Sequence, residues 1–180
     1  MKIFKYALLA STLIFASCSD DDNTPDPVNE EEVITTMTIT LDSGSDQVEL
    51  QFQDLDGDGP DAATVTVSGS LTANTVYDGS IVLLNETESP AENVTEEIEE
   101  EDDEHQFFYT VGSGLAVQTE YTNFDGDGNP LGTTFILTTG AASSGSLTFT
   151  LRHEPNKPNS GLEDAGGSTD IEVSFDLVVE

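Results

Sequence analysis

The sequence predicts an all-β protein, an antiparallel sandwich of two sheets with about nine strands. Short stretches rich in Val, Ile, Thr, Phe and Tyr alternate between apolar and polar residues, and signals for helices are few. A strand with one apolar face and one polar face is typical of an antiparallel sheet that packs on a core. The number and spacing of the strands fit an immunoglobulin-like or jelly-roll sandwich, and a closed barrel is the alternative.

The last strand is the clearest, because apolar residues occupy every second position and acidic residues or serine lie between them. Its apolar positions are Ile171, Val173, Phe175, Leu177 and Val179. In chain order, the candidate strands are residues 33–41, 47–53, 63–69, 75–84, 105–111, 115–122, 133–139, 145–153 and 170–179. Together they make residues 33–180 a single predicted domain.

Residues 1–17 have the features of a secretory signal peptide. Lys2 and Lys5 form a short basic region, and the apolar run 6–15 is too short to span a bilayer as a permanent helix. The sequence Phe-Ala-Ser-Cys that follows resembles a bacterial lipobox, whose cysteine is acylated and becomes the new first residue. Cys18 is the only cysteine, so we expect it to anchor the chain in outer-membrane lipid. An ordinary signal peptide with a chance cysteine is the alternative.

Residues 18–32 are predicted to be an acidic, disordered tether. Residues 23–32 contain two prolines and repeated acids, with no apolar periodicity. Residues 19–22, Ser-Asp-Asp-Asp, resemble the lipoprotein export tag of the Bacteroidota, which directs lipoproteins to the outer face of the outer membrane. A solvated acidic linker is the alternative interpretation of these four residues.

The chain is strongly acidic, with 36 Asp and Glu against 4 Lys and Arg and a net charge of -32. Once the signal peptide is removed, Arg152 and Lys157 are the remaining basic side chains. A nucleic-acid partner is excluded, because binding phosphates requires a basic surface. The acidic surface of this chain instead attracts cations or a basic patch on another protein.

The two histidines lie at the ends of two predicted strands, and they share one edge of a sheet if these strands are antiparallel neighbours. His105 begins one strand and His153 ends another, so antiparallel pairing brings both imidazoles to one rim. Imidazole and carboxylate groups are ligands of divalent transition metals such as zinc. We therefore predict a metal site with His105 and His153 as core ligands and Glu104, Glu154 or Asp103 completing it. The neighbouring acids are expected to raise the pKa of each histidine. The alternative is that each histidine only caps its strand.

The acidic run 96–104 ends one residue before His105. Residues 94–98 have enough β and apolar character to be ordered, so the run is interpreted as an acidic antenna that gathers cations for the histidines. A solvated loop is the alternative, and it is the usual fate of such runs.

Two related turns carry the opening spacing of a calcium loop, with oxygen ligands at alternate positions before a glycine. The segments 48–59 and 117–128 align without a gap, strand followed by turn in both, which predicts two related hairpins. No EF-hand forms, because its twelfth position is Val65 in the first turn and Thr134 in the second. Two alternatives remain: either calcium is bound between loops, or the turns only connect the strands of each hairpin. The candidate ligands are Asp54, Asp56, Asp58, Asn123, Asp125 and Asp127.

The sequence offers little for catalysis. It has no nucleophile elbow, no glycine-rich phosphate loop before a helix and no free thiol once Cys18 is acylated. No pair of carboxylates is marked out for glycoside cleavage, and the chain lacks Trp for stacking on sugars. We therefore predict a binding protein and not an enzyme.

Several segments together resemble a group of small flavobacterial surface lipoproteins of undefined biochemistry. These segments are the lipobox, the export tag, the Asp-x-Asp-Gly-Asp-Gly turn, and residues 93–101, 104–108, 151–157 and 165–173. The resemblance covers most of the chain after Cys18. It implies a cell-surface lipoprotein of the outer membrane that works beside a TonB-dependent receptor, and it implies no particular ligand.

The sequence thus predicts a surface lipoprotein that captures a divalent metal ion, preferably zinc, for a TonB-dependent uptake partner. The alternative is a structural or adhesive β-sandwich module whose turns are stapled by calcium. A third possibility is an accessory subunit that binds a receptor through an edge strand and has no ligand of its own.

Overall fold

The computed structural model describes residues 32–57 and 59–180. The predicted signal peptide, the acylation site at Cys18 and the tether up to residue 31 lie outside these residues, and so does Asp58. Neither helix of the described residues is long and apolar enough to cross a membrane.

The described residues form ten strands and two short helices. In chain order these are β1 (Thr36–Asp42), β2 (Gln47–Gln53), β3 (Thr64–Val67), β4 (Val76–Asn85), β5 (Glu92–Asn93), α1 (Val94–Glu100), β6 (His105–Val111), β7 (Val117–Tyr121), β8 (Thr134–Thr139), β9 (Ser143–His153), α2 (Leu162–Ala165) and β10 (Ser168–Val179). The larger sheet has the order β3-β2-β1-β4-β8-β7, and β5 pairs with β4 outside this path. The smaller sheet has the order β10-β9-β6. The predicted all-β, antiparallel, two-sheet sandwich is confirmed, with ten strands where about nine were expected.

Alternating apolar residues of both sheets form the core between them. In β10 every second residue from Ile171 to Val179 is buried, as the alternation predicts. Aromatic rings connect the sheets, because Phe135 of β8 lies 5.8 Å from Phe149 of β9, and Phe149 lies 6.0 Å from Phe175 of β10, centroid to centroid. Each fully buried side chain of this size contributes roughly 1.5–3 kcal/mol.

Residues 94–98 are ordered, but their predicted β character is wrong, since they form most of helix α1. Val94 and Ile98 are four residues apart, which places both on one helix face, and both are buried. Asn93 precedes the helix and donates a hydrogen bond from its side chain to Glu96. The spacing of the apolar residues therefore outweighed the strand propensity of Val, Thr and Ile.

Both related turns connect antiparallel neighbours of the larger sheet. β2 pairs with β3 around the first turn, and β7 pairs with β8 around the second. The predicted pair of hairpins is thus confirmed. The two hairpins occupy opposite ends of the larger sheet, since β3 and β7 are its terminal strands.

Candidate metal site

The pairing of β6 with β9 places the two histidines directly opposite each other. His105 is the register partner of His153, and their ring centroids are 4.8 Å apart at an interplanar angle of 35°. Each histidine shares its strand face with core residues, Phe107 on β6 and Leu151 on β9. The sequence predicted that both imidazoles lie at the rim of the sheet. In the structure they are buried at the end of the core, since His105 is fully buried and His153 is 6% exposed.

A third side chain reaches this position from β10. The register of β10 on β9 shifts between Thr169 and Ile171, so that Asp170 is the extra residue of a β-bulge. Its side chain is fully buried, and its Oδ1 lies 3.9 Å from Nδ1 of His153. Strict alternation from Ile171 would have turned Asp170 toward solvent. This residue was therefore missed in the sequence.

Gly167 explains how β10 approaches β9 so closely at this point. A Cβ atom there would lie 2.2 Å from the carbonyl oxygen of His153, and its φ of +68° is unfavourable for other residues. The adjacent glycines 166 and 167 were the one sequence signal for this close approach.

We call His105, His153 and Asp170 the inner cluster. One ligand atom from each of these residues lies within 4.8 Å of the other two. Nδ1 of His105 is 3.2 Å from the carbonyl oxygen of Glu101, so this nitrogen carries the proton and Nε2 keeps its lone pair. Nε2 of His105 and Nδ1 of His153 are buried and have no hydrogen-bond partner among the described residues. Two buried imidazole nitrogens without hydrogen-bond partners thus stand beside a buried carboxylate.

The inner cluster is slightly wider than an occupied zinc site. Ligand atoms about 2.0–2.1 Å from a tetrahedral zinc ion are about 3.3 Å apart. The separation of His153 Nδ1 from Asp170 Oδ1 is 3.9 Å. An ion would therefore draw this pair of atoms together by about 0.6 Å, and a pair at the 4.8 Å limit by about 1.5 Å, which side-chain rotations can supply.

Two further carboxyl groups lie next to the inner cluster. Glu32 and Glu101 form a second group with His105, again with ligand atoms within 4.8 Å of one another. The pKa of Glu32 is raised to about 7, first by burial and then by the negative charges of Glu97, Asp170 and Glu101. A bound cation would relieve this repulsion. Neither Glu32 nor Glu101 was singled out in the sequence as a ligand.

The remaining predicted carboxylates lie on the outside of His153. We call Glu104, His153 and Glu154 the outer cluster, whose ligand atoms also lie within 4.8 Å of one another. Oε2 of Glu104 is 3.9 Å from Nε2 of His153. Both glutamates are exposed. Asp103 lies exposed in the turn before β6 and joins none of the three clusters found among the described residues, so its predicted place in the shell is not supported.

The prediction that neighbouring acids raise the pKa of His105 is wrong, because the pKa of His105 is lowered. Burial is the largest cause, since it disfavours the charged imidazolium, and the neighbouring His153 lowers the pKa further. The hydrogen bond to the Glu101 carbonyl and the charge of Glu101 act in the opposite direction but do not compensate. A neutral imidazole is the form that binds a metal ion.

The polar groups of the second turn are engaged by the protein itself. Asp125 accepts hydrogen bonds from the backbone of Asp127 and from Asn129, and its Oδ2 is 3.3 Å from the ammonium of Lys157. Burial raises the pKa of Asp125, but the Asn129 hydrogen bonds and Lys157 hold it below its usual value. Asn123 accepts from the backbone of Gly132 with its side-chain oxygen. These contacts favour a structural hairpin turn over a calcium loop here.

The first turn leaves more room for a ligand. Oδ1 of Asp54 is buried and has no hydrogen-bond partner among the described residues, and Asp56 accepts a hydrogen bond from the backbone of Asp61 at 3.2 Å. Asp54 and Asp56 line a cavity of about 480 Å³ that Asp170 also lines. None of the three ligand clusters among the described residues includes a residue of either turn. Calcium at the first turn stays a prediction.

No protein-family model, curated protein or solved structure matches this chain. The resemblance to flavobacterial surface lipoproteins therefore stays a prediction.

Proposed function

We propose that this chain binds one divalent transition-metal ion at the inner cluster. The observation that carries the proposal is the pair of buried, facing imidazoles, His105 and His153, beside the buried carboxylate of Asp170. A buried polar atom without a hydrogen bond costs about 1–3 kcal/mol. The cluster has two such nitrogens among the described residues, and a metal ion would satisfy both.

The donor set favours zinc or a similar ion. Two imidazole nitrogens and one carboxylate suit zinc, copper, iron or nickel, whereas calcium takes oxygen ligands alone. The carboxyl groups of Glu32 and Glu101, which form a separate group with His105, are the candidates for a fourth ligand. Calcium is therefore expected to bind weakly here, if the imidazoles are the ligands.

We further propose that binding takes place on the outer surface of the outer membrane. The lipobox-like sequence before Cys18 and the acidic residues that follow support a lipid anchor and export to the cell surface. The excess of 36 Asp and Glu over the two remaining basic side chains, Arg152 and Lys157, raises the local concentration of cations at such a surface. In this setting the protein captures the ion and delivers it to a TonB-dependent receptor.

Isothermal titration of residues 19–180 with zinc, copper and calcium tests the metal site. The expected result is saturable binding of one zinc ion, lost in the His105→Ala, His153→Ala double variant. Asp170→Asn should weaken zinc binding at least tenfold, whereas Asp176→Asn, the matched change at an exposed position of the same strand, should not. No saturable heat from zinc or copper, or unchanged heat in the double-histidine variant, contradicts the proposal.

Two experiments in cells test the anchor and the partner. Metabolic labelling with a fatty acid should mark the protein, and Cys18→Ser should abolish the label. Extracellular protease should then degrade the labelled protein on intact cells. A TonB-dependent receptor should co-purify with the unaltered protein. The rate at which the receptor releases the protein should differ between the zinc-loaded and the zinc-free form. Labelling that survives Cys18→Ser would contradict the anchor.

The structural or adhesive module is the competing function. The unpartnered Oδ1 of Asp54 is the one observation that favours a calcium staple at the first turn. In that case calcium would raise the melting temperature, Asp54→Asn would remove the effect, and zinc would have none.

A further inference from the structure

The outer cluster is distinct from the inner one but shares His153 with it. We propose that Glu104, His153 and Glu154 form a loading site through which the ion enters and leaves the inner cluster. This inference rests on the proposed metal binding and adds the route that the ion takes.

Burial of the inner ligands limits how an ion in solvent can reach them. His105 and the Asp170 side chain are fully buried, and the His153 side chain is 8% exposed. A hydrated ion in solvent therefore cannot contact all three at once. The side chain of Glu104 is 52% exposed, and Glu154 is exposed as well. The outer cluster thus presents two accessible carboxylates directly in front of a buried imidazole.

The two nitrogens of His153 face the two clusters separately. Nε2 lies 3.9 Å from Oε2 of Glu104, and Nδ1 lies 3.9 Å from Oδ1 of Asp170. A neutral imidazole has one lone pair and one N–H. An ion in the outer cluster uses the lone pair of Nε2, and the proton on Nδ1 then faces Asp170. An ion in the inner cluster uses Nδ1, and the proton on Nε2 then faces Glu104.

Transfer between the clusters consequently requires a change of tautomer at His153. Nδ1 gives its proton to Asp170, which passes it to solvent in the cavity that it lines, and Nε2 takes a proton from solvent beside exposed Glu104, so no proton is gained or lost overall. Because a neutral ring offers its lone pair on one side at a time, the two clusters exclude each other. The chain should therefore bind one ion, held weakly during loading and more tightly once inside.

Backbone contacts hold the two carboxylates beside His153. The N–H of Glu154 donates to the carbonyl oxygen of Glu104 at 2.6 Å, which joins the start of β6 to the end of β9. Glu154 has a φ of +49°, an uncommon conformation for a residue other than glycine. The chain thus keeps a carboxylate at this position although glycine would be less strained there.

Stopped-flow measurement of cobalt(II) binding to residues 19–180 tests the loading site, since bound cobalt absorbs visible light. In the Glu104→Gln, Glu154→Gln variant, association and dissociation should both slow at least tenfold, while Kd changes less than threefold. A site that serves only as a route must change both rates equally. The matched control is Glu49→Gln, Glu120→Gln, which removes two charges at exposed strand positions and should change association less than twofold.

Association that slows no more in the variant than in the control overturns the loading site and leaves the inner site intact. If the unaltered chain takes up no cobalt, both proposals fail together. A second variant tests the outer cluster alone. His105→Ala should still bind cobalt, at least tenfold more weakly than the unaltered chain. Adding Glu154→Gln to this variant should abolish the remaining binding. Complete loss of binding in His105→Ala alone would also overturn the loading site.

Discussion

The ring of His105 lies 4.8 Å from the ring of His153, and both rings are buried at one end of the core. Two imidazolium ions at this distance would repel each other without much water to screen the charge. The pKa of His105 is lowered by burial and by the neighbouring ring, and protonation of His105 therefore opposes folding. A neutral His105 imidazole also has a lone pair that can bind a metal ion.

Acid should destabilise the metal-free protein through His105. Its pKa is lowered in the folded state from an ordinary value of 6.5, so the unfolded chain binds more protons and stability falls as the pH drops below about 6.5. The loss from this one group is at most about 2 kcal/mol at pH 5. Urea unfolding of the protein and of His105→Gln, at pH 7.5 and pH 5, measures it. The variant should lose less stability between the two pH values, and an equal loss would contradict the prediction.

Glu32 should act in the opposite direction. Its pKa is raised from 4.5 to about 7 in the folded state, so the folded chain binds more protons and stability falls as the pH rises through this range. Glu32→Gln removes the ionisation. This variant should therefore melt at a higher temperature than the unaltered protein at pH 8, with the difference disappearing near pH 4.5.

Zinc should reduce the gain in melting temperature that Glu32→Gln gives at pH 8, because the cation compensates the charge that the substitution removes. Glu49→Gln, a change at an exposed position of β2, is the matched control and should show no such pH dependence. A Glu32 variant that behaves like this control at every pH would show that the carboxyl group is not strained by its neighbours.

The pairing of Lys157 with Asp125 should contribute strongly to stability. The two side chains are 6% and 2% exposed, and Lys157 also donates to the carbonyl oxygen of Asp102 at 2.6 Å. Removing one member of a buried ion pair leaves the other uncompensated and costs about 3–5 kcal/mol. Lys157→Met should cost this much in urea unfolding.

Asp125→Asn should relieve part of the cost of Lys157→Met, because the amide keeps an acceptor for the turn without a buried charge. The double variant should therefore be more stable than Lys157→Met alone. A change below about 0.5 kcal/mol in Lys157→Met, the range of ordinary surface substitutions, would contradict this account.

The sequence predicted what depends on strict alternation along strands. The apolar positions of β6 and β9 place His105 and His153 at the ends of apolar strand faces, and the sandwich follows from the same pattern. The pairing of β6 with β9, which makes the two rings face each other, was only a condition of the prediction and comes from the structure. Asp170 could not be predicted in this way, because a bulge breaks the alternation on which the prediction depends. The lowered pKa of His105 was missed because charge is visible in a sequence, whereas burial of a strand terminus is not.

Helix α1 was missed for a related reason. Val94, Thr95 and Ile98 have strand propensity, but the burial of Val94 and Ile98 depends on where the surrounding sheets leave space. Asp103 follows the same helix, and its exposure in the turn depends on where α1 ends. Both errors therefore come from one helix whose existence is decided by tertiary packing.

Gly167→Ala should both destabilise the fold and weaken metal binding. The new methyl group would lie 2.2 Å from the His153 carbonyl oxygen, and the φ of +68° costs a further 1–2 kcal/mol, roughly. β10 would have to move away from β9 beside the bulge that carries Asp170. We expect a loss of more than about 2 kcal/mol in urea unfolding and at least tenfold weaker zinc binding by titration.

Gly44→Ala separates the two causes. Gly44 has a φ of +78°, but a Cβ atom there would have nothing within 4 Å. This control therefore shares the backbone strain of Gly167→Ala and lacks its clash. It should lose about 1–2 kcal/mol and keep the zinc affinity of the unaltered protein. If Gly167→Ala instead binds zinc as tightly as Gly44→Ala, the close approach of β10 to β9 at Gly167 does not determine where Asp170 lies.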